Sequence, residues 1–205
     1  TWALDDAGVL AIECQVMSGG ELPVIDVSYA EGQQPWFAVR DSIASVVFKN
    51  VDAVNTSYWF AGCSNLRNVS VVDTTKKSFL SLTWCSSMFL ECTGLTVLPV
   101  AFLDVLPRAV NLTSLGSMFK ACSNISGTIP ATFTLKENTN LNYIGHLFEG
   151  CNRLSGSIPR GLDFSTLTKL QSTYAMFSGC RSLTGSIPPT MTFANNPEPV
   201  SYTHL

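Results

Sequence analysis

The chain has 205 residues, of which 46% are apolar and only 13% charged, about half the charged share usual in globular domains. That balance excludes a disordered chain and leaves enough apolar material for the core of one domain. A net charge of −3 with no basic run argues against nucleic acid and anionic membrane as partners, and no apolar stretch is long enough to span a bilayer.

In chain order, the first predicted element is a β-hairpin. Trp2-Ala3-Leu4 and Val9-Leu10-Ala11-Ile12 flank Asp5-Asp6-Ala7-Gly8, a turn-forming run between apolar strands. The chain opens without a start methionine or signal peptide, so it reads as a fragment or processed product. Residues 13–34 carry no recognisable motif. Pro35-Trp36 and the apolar run Ile43–Phe48 then lead into a repeat.

The repeat is set by cysteine. Five of seven fall at Cys63, Cys92, Cys122, Cys151 and Cys180, at intervals of 29, 30, 29 and 29. Each follows a phenylalanine by three residues (Phe60, Phe89, Phe119, Phe148, Phe177) and precedes an aliphatic residue by three (Leu66, Leu95, Ile125, Leu154, Leu183). Self-similarity at this period marks stacked units that bury a shared core. Steps of three and four dominate each unit, so Met-Phe-x-x-Cys is predicted to form a short helical turn with Phe and Cys on one face. The segment from Leu154 to Pro159 reads as a short strand ended by proline, and Pro99, Pro130 and Pro188 stand at the same place. The expected fold is an α/β repeat solenoid: about five 29-residue coils over 49–193, a cap and lead-in strand over 1–48, and an unstructured tail over 194–205.

The unit Leu-x-x-Leu-x-x-Met-Phe-x-x-Cys-x-x-Leu, best seen over 112–125 and 170–183, resembles the BspA-like leucine-rich repeats of bacterial surface proteins. The segment from Trp2 to Ile12 resembles that family's capping hairpin. The resemblance implies an extracellular or cell-surface location and adhesion to a protein or glycan on another cell. Two features depart from it: the Gly-x-Ile-Pro endings look more like plant-type extracellular repeats, and 13–34 has no counterpart. The tail from Pro199 to Leu205 resembles a translated sequencing adapter, so it is expected not to be native, with further repeats or an anchor in the full protein.

The chemistry-bearing residues point away from catalysis. The cysteines lack the close pairs of a structural zinc site and sit among Phe, Met and Leu, where a thiol acts as a small hydrophobe. Cys85 shares an inward column with Leu115 and Ile144. Cys14 is the one candidate for an accessible thiol, and an odd count prevents complete pairing. His146 is expected on the surface with no carboxylate column beside it, and His204 lies in the doubtful tail. No catalytic or phosphate-binding motif occurs; no enzyme activity, cofactor or metal is expected. Four Asn-x-Ser/Thr sequons (Asn55, Asn68, Asn111, Asn124) matter only in a secreted eukaryotic setting.

Exposed aromatics are the remaining signal. Aligned units place Asn55, Trp84, Ser114, Tyr143 and Ser172 in one outward column. A second holds Tyr58, Ser87, Ser117, His146 and Ala175, and a third Ser57, Ser86, Gly116, Gly145 and Tyr174. Small polar residues satisfy most positions, so Trp84, Tyr143, Tyr58 and Tyr174, with His146, are candidate ligand-surface residues. The expected function is a non-catalytic surface interaction module. The alternatives are a spacer stalk presenting another domain and, last, a carbohydrate-active enzyme.

Overall fold

The computed structural model describes residues 1–196. The chain opens in a hairpin: β1 (Trp2–Leu4) runs antiparallel to β2 (Val9–Glu13), pairing Trp2 with Ile12 and Leu4 with Leu10. Asp5 closes the turn, its carboxylate accepting the N–H groups of Ala7 (3.0 Å) and Val9 (2.8 Å), the local bonding that makes Asp a turn residue. β2 then pairs in parallel with β4 (Ser45–Lys49), and β4 with β6 (Asn68–Val72). Leu10, Ile12, Val46, Phe48 and Val69 alternate inward and are buried.

Residues 13–34, silent in sequence, also contribute a strand. β3 (Val24–Ile25) pairs in parallel with β5 (Asp52–Ala53). From there the same edge continues as single parallel bridges, Asn55 to Trp84, Trp84 to Ser114, Ser114 to Tyr143 and Tyr143 to Ser172. Segments 29 or 30 residues apart therefore lie on one another as successive levels. A second, shorter ladder pairs β7 (Gly127–Thr128) with β8 (Leu154–Ser155) and bridges Gly156 to Leu183. These cover part of the segments expected as strands. The proline of each opens the turn that follows: the Pro99, Pro130, Pro159 and Pro188 carbonyls accept the N–H of Phe102, Phe133, Leu162 and Met191 at 2.9–3.0 Å.

The expected helical turn at Met-Phe-x-x-Cys is absent, and this corrects the helical part of the predicted unit. Among the described residues the only α-helix is α1 (Val100–Leu103), inside one connecting loop, with short 3-10 segments at Phe37–Ser42 and Leu106–Arg108. Most of each level is coil and turn. The chain instead turns through two left-handed residues per level. One column is Tyr58, Ser87, Ser117, His146 and Ala175, with φ between 52° and 60°; the other is Gly62, Glu91, Ala121, Gly150 and Gly179. Left-handed backbone is costly for residues other than glycine. It persists because it aims alternate N–H groups at the next level. Ser87 donates to the Gly116 carbonyl (2.8 Å), Phe89 to Met118 (3.0 Å) and Glu91 to Lys120 (2.8 Å), and the same triplet recurs from level to level.

The core is a column of aromatic rings. Phe60, Phe89, Phe119, Phe148 and Phe177 stack in order, with centroids 5.6–5.7 Å apart and planes within 15° of parallel. The repeat cysteines run beside them. Cys92, Cys122, Cys151 and Cys180 each donate Sγ–H to the carbonyl of the Phe one level before, at 2.9–3.1 Å. A thiol is small enough for the column and still supplies a donor, which an alanine would not. Of the predicted repeat-core residues only Leu183 is half-buried; the others, from Phe60 to Cys180, are buried.

Trp36 ends the column. Its ring stacks on Phe60 (5.8 Å, 18°), and its indole N–H donates to the Trp59 carbonyl at 2.7 Å. In later levels the equivalent carbonyl receives the N–H of a preceding phenylalanine, as Met88 does from Phe60. Trp36 thus supplies both the ring and the donor that a preceding level would provide. Of the expected tail, residues 197–205 lie outside the described residues, His204 and the adapter-like stretch among them. Asn196 is held to the stack: its Nδ2 donates to Leu167 (2.9 Å) and Leu170 (3.0 Å), as Asn138 does to Leu106 and Ala109. No helix among the described residues is long and apolar enough to cross a membrane.

Candidate functional site

The bridged ladder builds a face from alternation. On each level the residue at the bridge points out, the next points in and the third points out, as in any extended strand. The inward column is Thr56, Cys85, Leu115, Ile144 and Thr173, all buried. The outward columns are Asn55, Trp84, Ser114, Tyr143, Ser172 and Ser57, Ser86, Gly116, Gly145, Tyr174. Neither contains an ionisable acid or base other than the tyrosines. Between levels two and three a hydroxyl pair links the columns, Ser86 Oγ to Ser114 Oγ at 2.7 Å.

The large residues stand out of this polar bed. Trp84 is 44% exposed, Tyr143 36% and Tyr174 45%, while Tyr58 and His146 are half-buried. The structure gathers Tyr143, His146 and Tyr174 on adjoining levels. Trp84 lies two levels from Tyr143 in its own column, and Tyr58 lies on the first level. Tyr143 occupies space that its neighbours vacate. A Cβ placed on Gly116 would lie 2.2 Å from Tyr143 Cε1, and one on Gly145 would lie 2.9 Å from Cζ and Oη. These glycines are needed for the close approach of a ring. In sequence they group with small polar fillers; their pairing with a tyrosine in the adjoining outward column was the signal available.

His146 is corrected in one respect, for a carboxylate does lie beside it. Its Nδ1 is 2.5 Å from Glu149 Oε2, and Lys120 Nζ lies 2.9 Å from the same oxygen. Burial works to raise the Glu149 carboxyl, but hydrogen bonds from Lys120 and His146 outweigh it and hold the carboxyl below its ordinary pKa. The imidazole then meets the Tyr174 ring edge-on at 5.3 Å. A histidine oriented by a carboxylate thus faces an aromatic ring, where acyl-transfer chemistry would require a nucleophile. The arrangement fixes the two rings in place at the margin of the face.

The cysteines are all free and all buried, including Cys14, the one candidate for an accessible thiol. Burial pushes the thiols of Cys63, Cys122 and Cys180 up to about 12 and raises those of Cys14, Cys85, Cys92 and Cys151 as well. Since the thiolate is the reactive form, an aromatic disulfide reagent at about pH 8 is expected to label none of the seven in the native chain, and all seven in denaturant. Rapid labelling of the native protein, read by absorbance, would contradict the buried thiol column.

No protein-family model matches the chain, and no curated protein matches it. Among solved structures it is similar to the crystal structure of the T. pallidum Leucine Rich Repeat protein, at 17% identity and a TM-score of 0.43, over 90% of this chain and 87% of that one.

Proposed function

We propose that this chain is a non-catalytic interaction module, built as a BspA-like stack of about five leucine-rich-repeat-type coils behind an N-terminal cap. It is displayed outside a bacterial cell and adheres to a protein or glycan on another surface. The single observation that supports the reading is the uncharged outward face, where Trp84, Tyr143 and Tyr174 stand exposed in columns that the fold otherwise fills with Ser, Asn and Gly. Rigid stacked levels offer an extended surface without an enclosed cavity, and exposed Tyr and Trp are the residue types that anchor partners.

The test is an array of purified cell-surface proteins and glycans, probed with the 205-residue chain and with Trp84→Ser and Tyr143→Ser. Both substitutions remove partly exposed side chains outside the core, so both variants are expected to fold, as an unfolding midpoint checks, while binding falls. Because the face carries so little charge, binding is expected to hold between low and high salt. Undiminished binding by both variants would remove the face from the function, and would favour a spacer role instead.

A further inference from the structure

We infer that the outward ladder face takes an extended, neutral, β-linked polysaccharide laid along the stack, with Trp84 and Tyr143 each packing against every second sugar ring. The inference rests on the reading of this face as a binding surface and names its ligand class.

Spacing comes first. Trp84 and Tyr143 share one column, separated only by Ser114, with a parallel bridge on each side of it. Neighbouring bridged segments lie roughly 4.8 Å apart, so the backbone positions that carry the two aromatic anchors stand about 10 Å apart along the stack axis. That distance is close to one disaccharide of an extended β-1,4-linked chain, in which alternate rings repeat their orientation. A ring on Trp84 thus puts the next ring over Ser114 and the one after that at Tyr143. Tyr174, one level on and one column across, continues the line on the other side of the track.

Chemistry comes second. A sugar offers apolar C–H faces and hydroxyls and no charge. The track offers aromatic rings, the Ser86–Ser114 hydroxyl pair and the Ser172 hydroxyl, which accepts the Tyr174 N–H and keeps its own O–H to donate. Ion pairs are kept to its margin, at Lys120 and Glu149. A peptide could add to this face as a further strand only through free backbone groups, and those of the ladder are already spent between levels. Cys85 N–H donates to the Ser114 carbonyl (3.1 Å), Leu115 N–H to Tyr143 (3.0 Å) and Ile144 N–H to Ser172 (3.0 Å). Strand addition is therefore closed to a ligand lying on the face. Rings and hydroxyls remain as the recognition groups.

Preorganisation comes third. The Tyr143 ring occupies room that Gly116 and Gly145 leave by lacking a Cβ, so it is positioned before any ligand arrives, which lowers the ordering cost of binding. Gly116 does not have a left-handed backbone, and Ser86 stands at the equivalent position one level earlier. Gly116→Ser is thus compatible with the chain path and displaces Tyr143 alone.

Calorimetric titration of the 205-residue chain with cellohexaose, chitohexaose and maltohexaose tests the proposal. At least one β-1,4-linked hexasaccharide is expected to bind. Maltohexaose, whose α-linkages curl the chain away from a straight track, is expected to bind at least tenfold more weakly. Trp84→Ser, Tyr143→Ser and Gly116→Ser are each expected to weaken binding about tenfold, the equivalent of roughly 1.4 kcal/mol, with unchanged unfolding midpoints confirming that the variants fold. Absence of binding to both β-linked probes, or equal binding by the variants, overturns the inference. If the chain captures an arrayed protein through Trp84 while neither β-linked probe binds, the ligand class is wrong and the interaction face stands.

Discussion

Phe119→Ala is expected to lower stability by about 3–5 kcal/mol, the range for truncating a fully buried phenylalanine. Phe119 lies between Phe89 (5.6 Å, 7°) and Phe148 (5.7 Å, 5°) and is fully buried. Truncation leaves a gap with a ring on either side. The backbone partners remain: its N–H donates to Leu147, and its carbonyl accepts Cys122 N–H and Cys151 Sγ–H. The loss is therefore one of packing. In a stack where each level touches only its neighbours, that loss falls on the coupling between the two halves. All four tryptophans (Trp2, Trp36, Trp59, Trp84) precede Phe119, so tryptophan fluorescence reports the N-terminal half and circular dichroism the whole. The two urea transitions are expected to coincide in the native chain and to separate in the variant. Phe177→Ala, at the end of the ring column, is expected to cost less. Equal losses at the two positions would refute the column as a coupled unit.

Trp36→Ala is expected to cost about 3–5 kcal/mol as well, for a different reason. Besides stacking on Phe60, Trp36 makes edge contacts to Trp2, Tyr29 and Trp59 at 5.6–6.4 Å, so its removal uncouples the hairpin from the first level. Trp36→Phe separates the two roles. It keeps a ring for Phe60 but withdraws the indole N–H, the only donor to the Trp59 carbonyl among the described residues, at a cost of about 1–3 kcal/mol for the unmet group. Urea denaturation followed by fluorescence measures both. A Trp36→Phe protein as stable as the native chain would show that the indole N–H contributes nothing to the cap.

Nearby in the structure, Gln34 is buried and donates from Nε2 to the Tyr58 carbonyl at 2.8 Å. Neither Gln34 nor Trp36 is marked by the repeat, because the step from Trp36 to Phe60 is 24 residues and the residue types differ. A cap imitates the shape and donors of a level without imitating its sequence, so periodicity is blind to it. Strand β3 escaped for the same reason: two residues joined to Asp52–Ala53 through long-range pairing leave no local pattern.

The helical turn expected at Met-Phe-x-x-Cys failed instructively. Its spacing of three is real, for Cys63 N–H does donate to the Phe60 carbonyl at 3.0 Å and each later cysteine repeats the bond. A three-residue step does not distinguish a helical turn from a left-handed bend. The bend residues are Tyr, Ser, Ser, His and Ala, types with no shared preference for that conformation. The bend is held by hydrogen bonds to a segment 28 or 29 residues away, which no local propensity records.

What could be read without coordinates was the period, the inward Phe and Cys columns and the outward aromatics, because stacking by translation writes the same demand into every unit. Handedness within the unit, the tryptophan that closes the ring column and the glycine bed beneath Tyr143 belong to the tertiary structure. Each depends on a partner one level away, and the identity of that partner is fixed only when the levels meet.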